Sequence, residues 1–123
     1  MTEKQLLEWL IENIDASIKK AEYKYSRFDA YSETHDCFIE LKCRRKHYVD
    51  LMIEKKKFDS LVEDGTSYYI CSTPKGIYCW ELSPDTEIEW ITKMMPKTTD
   101  FGKNKWIEKE VGFLKVVDAK KLK

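Results

Sequence analysis

Apolar positions along the chain define its first element. Leu6, Leu7, Leu10, Ile11, Ile14 and Ile18 follow the helical period, which predicts an amphipathic helix from residue 3 to about residue 19. Thr2 reads as its N-cap, and Gln5 completes a capping box. Residues 23–28 alternate loosely and predict a first strand running into Asp29. Asp29-Ala30-Tyr31 and Cys37-Phe38-Ile39-Glu40-Leu41 are β-prone and enclose the turn formers Ser32-Glu33-Thr34-His35-Asp36, so a hairpin is expected. A second helix is expected over 47–62, with Tyr48, Leu51, Phe58, Leu61 and Val62 on one side and Gly65 as its stop. Segments 67–72 and 76–82, joined by Thr73-Pro74-Lys75, predict another hairpin. Beyond Pro84 the pattern weakens: a short helix over 87–95, a loop over 98–104 and a strand over 106–117 that packs Ile107, Val111, Phe113, Leu114 and Val116. The order is α-β-β-β-α-β-β with a C-terminal extension over 83–123, a mixed α/β (α+β) chain with a central sheet flanked by helices.

Polar residues inside the first hairpin say more than the apolar ones. Glu40 and Lys42 interrupt an otherwise apolar run from Cys37 to Cys43, where a strand that needed only burial has little use for them. With a tight turn centred on Thr34-His35, residues whose numbers sum to 69 face each other, and Asp29 lies opposite Glu40 with Cβ atoms about 4.5–5.5 Å apart. Lys42 then shares the Glu40 face, while Ile39, Leu41 and Cys43 point the other way. Two opposed carboxylates repel unless a cation sits between them. Mg²⁺ suits such a place, because it takes one or two carboxylates plus waters and phosphate oxygens. The plainer reading of the same residues is a hairpin aspartate and a surface Glu–Lys pair, a pattern short enough to recur by chance.

Bulk properties narrow the function classes. The 123 residues fit one domain with a modest core, and 42% hydrophobic with 36% charged residues describes a soluble globular chain. No apolar run approaches a membrane span, the N-terminus carries no signal-peptide core, and a cytoplasmic protein without membrane partners is expected. Cys37, Cys43, Cys71 and Cys79 form no CxxC and lie mostly in strand-like segments, so buried free thiols are expected rather than zinc ligands or disulfides. A formal net charge of zero argues against a protein that coats nucleic acid everywhere. The charge is nevertheless uneven: Lys42, Arg44, Arg45, Lys46, Lys55, Lys56 and Lys57 face only Asp50 and Glu54 between residues 42 and 57. His35 and His47 share no helical face, Asp100-Phe101-Gly102 stands without other kinase features, and Tyr68, Tyr69, Tyr78 and Trp80 read as sheet packing.

An α-β-β-β-α-β core with Asp on its second strand and Glu-x-Lys on its third resembles the PD-(D/E)XK nuclease superfamily. Restriction endonucleases, Holliday-junction resolvases and small phage nucleases belong to it. The likeness is strongest to small phage- or mobile-element-type members and rests on Tyr25-Ser26-Arg27-Phe28-Asp29-Ala30, Ile39-Glu40-Leu41-Lys42-Cys43-Arg44 and Ile53-Glu54-Lys55-Lys56-Lys57. It covers roughly residues 3–82, and Phe28 stands where the family nominally has proline. The resemblance implies a restriction-endonuclease-like fold and metal-dependent hydrolysis of DNA phosphodiesters, with branched or nicked DNA as a plausible substrate. It implies Mg²⁺ or Mn²⁺ held by Asp29, Glu40 and the Leu41 carbonyl, with Lys42 acting on the attacking water and on transition-state charge. Lys57 would contact phosphate, with Glu54 orienting it or bridging to Lys42. Arg44 and Arg45 would touch the nucleic-acid backbone, and Glu8 or Glu12 would be a helix-1 carboxylate. Cutting two strands takes two sites, so a homodimer is among the expected partners. The competing readings are a non-catalytic binding or accessory protein on the same fold, and an unrelated α/β interaction domain.

Overall fold

The computed structural model describes residues 1–22, 28–97 and 105–123. Helix α1 (Glu3–Asn13) starts as its sequence requires: the Thr2 hydroxyl accepts the Gln5 N–H at 3.2 Å, and Gln5 Oε1 accepts the Thr2 N–H at 2.8 Å. It stops well before residue 19. Asp15 Oδ1 takes the Ser17 N–H at 2.9 Å and the Ser17 hydroxyl at 2.7 Å, giving the backbone a turn in place of further helix. Ile18 is buried as expected, but as the first residue of strand β1 (Ile18–Lys20). A buried residue at helical spacing had extended the period past the helix.

Asp15 also ties this turn to the hairpin. Its Oδ2 accepts the hydroxyl of Ser32, which is 1% exposed and itself accepts the His35 N–H at 3.2 Å. These bonds, that from Ser32 first, hold the Asp15 carboxyl down at about 2. Asp15→Ala is expected to cost about 1–2 kcal/mol at pH 7 by stranding hydroxyl donors. A depressed native pKa stabilises above the unfolded value and stops doing so as pH falls through the native one. The gap between variant and wild type should therefore narrow from about pH 4 towards pH 2. Urea melts of both proteins at neutral and acid pH check this, and a gap independent of pH would take the carboxylate out of the account.

Strands β2 (Ala30–Ser32) and β3 (Cys37–Cys43) pair antiparallel with Ala30 opposite Ile39, Tyr31 opposite Phe38 and Ser32 opposite Cys37, so the numbers sum to 69 as the turn formers require. Of the strand expected over 23–28, only Phe28 lies among the described residues; it is outside any strand and stacks on Phe38 at 3.9 Å. Strand β4 (Asp50–Glu54) and helix α2 (Lys55–Val62) follow. This corrects the expected helix over 47–62: Leu51 and Ile53 alternate into the core, and β4 gains a ladder along strand β8 (Trp106–Lys115), from Asp50↔Lys115 to Glu54↔Val111. That long-range pairing overrides local helical spacing. Tyr48, expected on the buried side, is 51% exposed.

Strand β5 (Ser67–Thr73) lies parallel to β3, and β6 (Gly76–Leu82) returns antiparallel as expected. The helix expected over 87–95 is instead strand β7 (Ile91–Pro96) against β8, while the loop expected over 98–104 lies outside the described residues. Strand β9 (Lys120–Lys121) joins the edge of β6. The result is a mixed α+β architecture: a six-stranded sheet in the order β1-β2-β3-β5-β6-β9 and a three-stranded sheet in the order β4-β8-β7. Helix α1 packs Leu6 and Leu10 on one face of the larger sheet against Ile39, Leu41, Ile70 and Ile77. Leu51, Ile53, Phe58 and Leu61 cover the other face against Tyr69, Tyr78, Trp80 and Leu82. Residues 83–123 are thus woven into both sheets. No helix among the described residues is long and apolar enough to cross a membrane.

Candidate active site

Asp29 sits where the β2–β3 ladder breaks step. Its N–H donates to the Ile39 carbonyl at 3.1 Å although Ile39 already faces Ala30, so two residues of one strand confront one of the other. A step of this kind re-aims a side chain. The Asp29 carboxylate takes the next place on the ladder, its Oδ2 accepting the Leu41 N–H at 2.8 Å. Within a strand the N–H and C=O of one residue point to the same edge. The Leu41 carbonyl therefore turns towards Asp29, while the Arg44 N–H, on the opposite edge, meets the Ser72 carbonyl at 2.8 Å.

Glu40 lies on the sheet face opposite α1, between Phe38 and Lys42 in the alternation of β3. Its side chain is 13% exposed; Oε1 pairs with Lys57 Nζ at 3.0 Å, while Oε2 is buried with no hydrogen-bond partner among the described residues. Burial pushes the Glu40 carboxyl up to about 7, the Asp29 charge adds to the rise, and Lys57 opposes it. Lys57 reaches this point from the first turn of α2, so the second helix supplies the counter-charge even though it is shorter than expected. Lys42 is half-buried on the same strand face.

The other expected site residues divide. Glu54 does not orient Lys57 or bridge to Lys42: as the last residue of β4 it pairs with Lys109 Nζ at 2.9 Å, on the side of the second sheet. Glu8 and Glu12 are exposed along α1. The helix-1 carboxylate that senses the site is Glu3, whose carboxyl is raised by burial and by Asp29 and lowered by Lys42 and Lys57. Sequence reasoning missed it. The capping box fixes Glu3 in the first helical turn, but only the packing of α1 across β3 brings that turn to the carboxylates. Arg44 and Arg45 line a recess of about 650 Å³ with Lys75 and Lys123 beside the β5–β6 turn, and the Arg44 Nε is buried without a partner.

Among the described residues, no three or more His, Cys, Asp or Glu side chains gather as a ready-made metal cage. Two carboxylates and a carbonyl nevertheless fit a hard divalent cation that keeps waters and phosphate oxygens in its shell. The buried, unpartnered Glu40 Oε2 supports that fit, since a buried carboxylate oxygen without a donor is costly unless a cation satisfies it. Comparison with known proteins returns no match: no family model, curated protein or solved structure aligns with the chain.

Proposed function

We propose that the chain is a metal-dependent nuclease of the PD-(D/E)XK type, acting on DNA phosphodiesters. The observation that carries this reading is the Glu40 carboxylate, buried beside Asp29 with one oxygen on Lys57 and the other unpartnered. The element order agrees with the restriction-endonuclease-like core once β4 is taken as an insertion before α2. Asp29, Glu40 and the Leu41 carbonyl would hold Mg²⁺ or Mn²⁺. The ion, when bound, supplies Lewis acidity, making water acidic enough to attack near neutral pH and drawing charge from phosphate oxygens.

The chain's own groups do the rest. The Asp29 carboxylate is fixed by the Leu41 N–H, so its free oxygen is pre-aimed. The Lys42 ammonium, on the Glu40 face of β3, orients the attacking water and stabilises charge that builds on the phosphorus oxygens. Lys57 holds one oxygen of Glu40 and would be placed to contact a phosphate at the site.

The test is a cleavage panel of single-stranded, duplex, flapped and four-way DNA, with RNA alongside, in Mg²⁺, Mn²⁺ and EDTA. Cutting is expected only with metal. Lys42→Ala should lower the rate by roughly 10²–10³-fold, the size of loss seen when one transition-state donor is removed. Folded protein that cuts no substrate and shows no metal binding by calorimetry would make the non-catalytic binding protein the better reading.

A further inference from the structure

Away from the site, the second sheet extends into a ribbon. β4 pairs only with residues 111–115 of β8, so residues 91–97 and 105–110 stand as a two-stranded arm, most of it exposed. The ladder runs from Ile91↔Val111 to Pro96↔Trp106, and beyond it the Lys97 N–H meets the Lys105 carbonyl at 2.8 Å. Alternation along this register puts Lys93, Lys97, Lys105 and Lys109 on one face, with Met95 and Ile107 between them. Glu108 and Glu110 fall on the other face, with Met94, Pro96 and Trp106. The charges are completely sorted.

That sorting is unfavourable for the ribbon alone. Lys93 stands directly opposite Lys109, and Lys97 stands beside Lys105 at the end of the ladder. Like charges opposed across a ladder destabilise it. Two carboxylates that would neutralise them flank Lys109 in sequence yet face away. Lys109 is tied to Glu54 at 2.9 Å; Lys93, Lys97 and Lys105 are exposed and pair with no described carboxylate. The Lys109–Glu54 bridge ties the ribbon to the end of β4. By the same register Glu108 and Glu110 share the face of Gly112 and Leu114, where the Glu110 charge acts on Lys55 of α2, so the lysines take the side turned away from that helix.

We infer that the lysine face of this ribbon is a docking surface for the phosphodiester backbone of a DNA duplex. A polyanion relieves the opposed lysines and releases counterions as it binds. The inference takes its substrate class from the nuclease reading, but not its chemistry.

The experiment is fluorescence anisotropy of a labelled 30-bp duplex with the full chain in EDTA, repeated over a salt series. Replacing Lys93, Lys97 and Lys105 together by Gln should reduce the slope of log K against log salt by about 3 and weaken binding on the order of 100-fold near 0.1 M salt. Glu108→Gln with Glu110→Gln, on the opposite face, should leave binding equal or tighter. All three lysines are exposed, and thermal melts confirm that the variant folds. Unchanged affinity and slope in the triple variant, or no duplex binding by the wild type, overturns the proposal. So does normal binding by the triple variant while Trp106→Ala converts a dimer to a monomer in sedimentation, which would make the arm a contact between copies. A wild type that binds with the steep slope but cuts nothing in Mg²⁺ or Mn²⁺ sinks the nuclease reading and leaves the ribbon assignment standing.

Discussion

Replacing Glu40 by Gln should abolish metal-dependent cleavage while making the metal-free protein more stable above pH 7. The side chain is buried, and its carboxyl is raised from an ordinary value of 4.5 to about 7. Between those values the native state holds a proton that the unfolded chain has lost. Stability therefore falls as pH rises through this window, the reverse of the usual salt-bridged carboxylate. The whole shift amounts to about 3 kcal/mol, present below about pH 4.5 and gone above about pH 7. Gln cannot ionise, so the variant should lack this slope. Metal should act in the opposite direction on the wild type alone: Mg²⁺ at pH 8 should raise its stability, because the ion compensates the buried carboxylate charge. Denaturant melts at pH 5 and pH 8, with and without Mg²⁺, read both effects. A variant with the wild-type pH slope, or one equally stabilised by Mg²⁺, would remove Glu40 from the candidate centre. The expected loss of cleavage is on the order of 10³-fold or more, about 4 kcal/mol of transition-state stabilisation.

Trp80→Ala should be among the most destabilising single changes, at about 3–5 kcal/mol. Trp80 is 5% exposed on β6, meets Tyr69 edge-on at 6.2 Å, and donates its indole N–H to the Lys115 carbonyl at 2.8 Å. Lys115 ends β8, so this one side chain both fills the core beneath the larger sheet and pins the smaller sheet to it. Truncation leaves a large void and an unpaired carbonyl together. Trp80→Phe keeps most of the volume and loses the bond, and about 1–2 kcal/mol is expected for it. Guanidinium unfolding of the three proteins separates packing from tether. A Trp80→Ala loss below about 1 kcal/mol would show that the two sheets are joined by other contacts.

What the sequence made legible was local. The Thr2–Gln5 capping box, the β2–β3 register and the β5–β6 hairpin each depend on residues a few places apart, and each formed as expected. Alternation put Glu40 and Lys42 on one face as expected, but Asp29 does not stand opposite Glu40: the ladder steps there, and its carboxylate takes the Leu41 N–H instead. The errors came where a distant partner decides. Asp50 to Glu54 reads as helix until β8 is known to lie beside it, and residues 91–96 form a strand for the same reason. Glu54 moved with that error: at a strand end it faces Lys109 and not Lys57. Glu3 could not be found by spacing, since nothing local says that the start of α1 abuts the end of β3. The ribbon's sorted charges were hidden while residues 87–95 were read as a helix, because sorting by face exists only at a period of two.

The four thiols have a consequence for how this protein meets its chemical surroundings. Burial pushes all of them up, Cys71 and Cys79 to about 11, and neither Cys37 nor Cys43 has a neighbour that reverses the rise. Near neutral pH only about one in 10⁴ of the Cys71 or Cys79 side chains is a thiolate, the form that oxidants and alkylating agents attack. Cys43, the neighbour in sequence of Lys42, is half-buried, and desolvation first of all raises its thiol. Cys37 and Cys71 are buried in the larger sheet, while Cys43 and Cys79 are half-buried. None lies beyond Cys79, so the exposed ribbon of residues 91–97 and 105–110 carries no thiol of its own, whereas β9 covers Cys79.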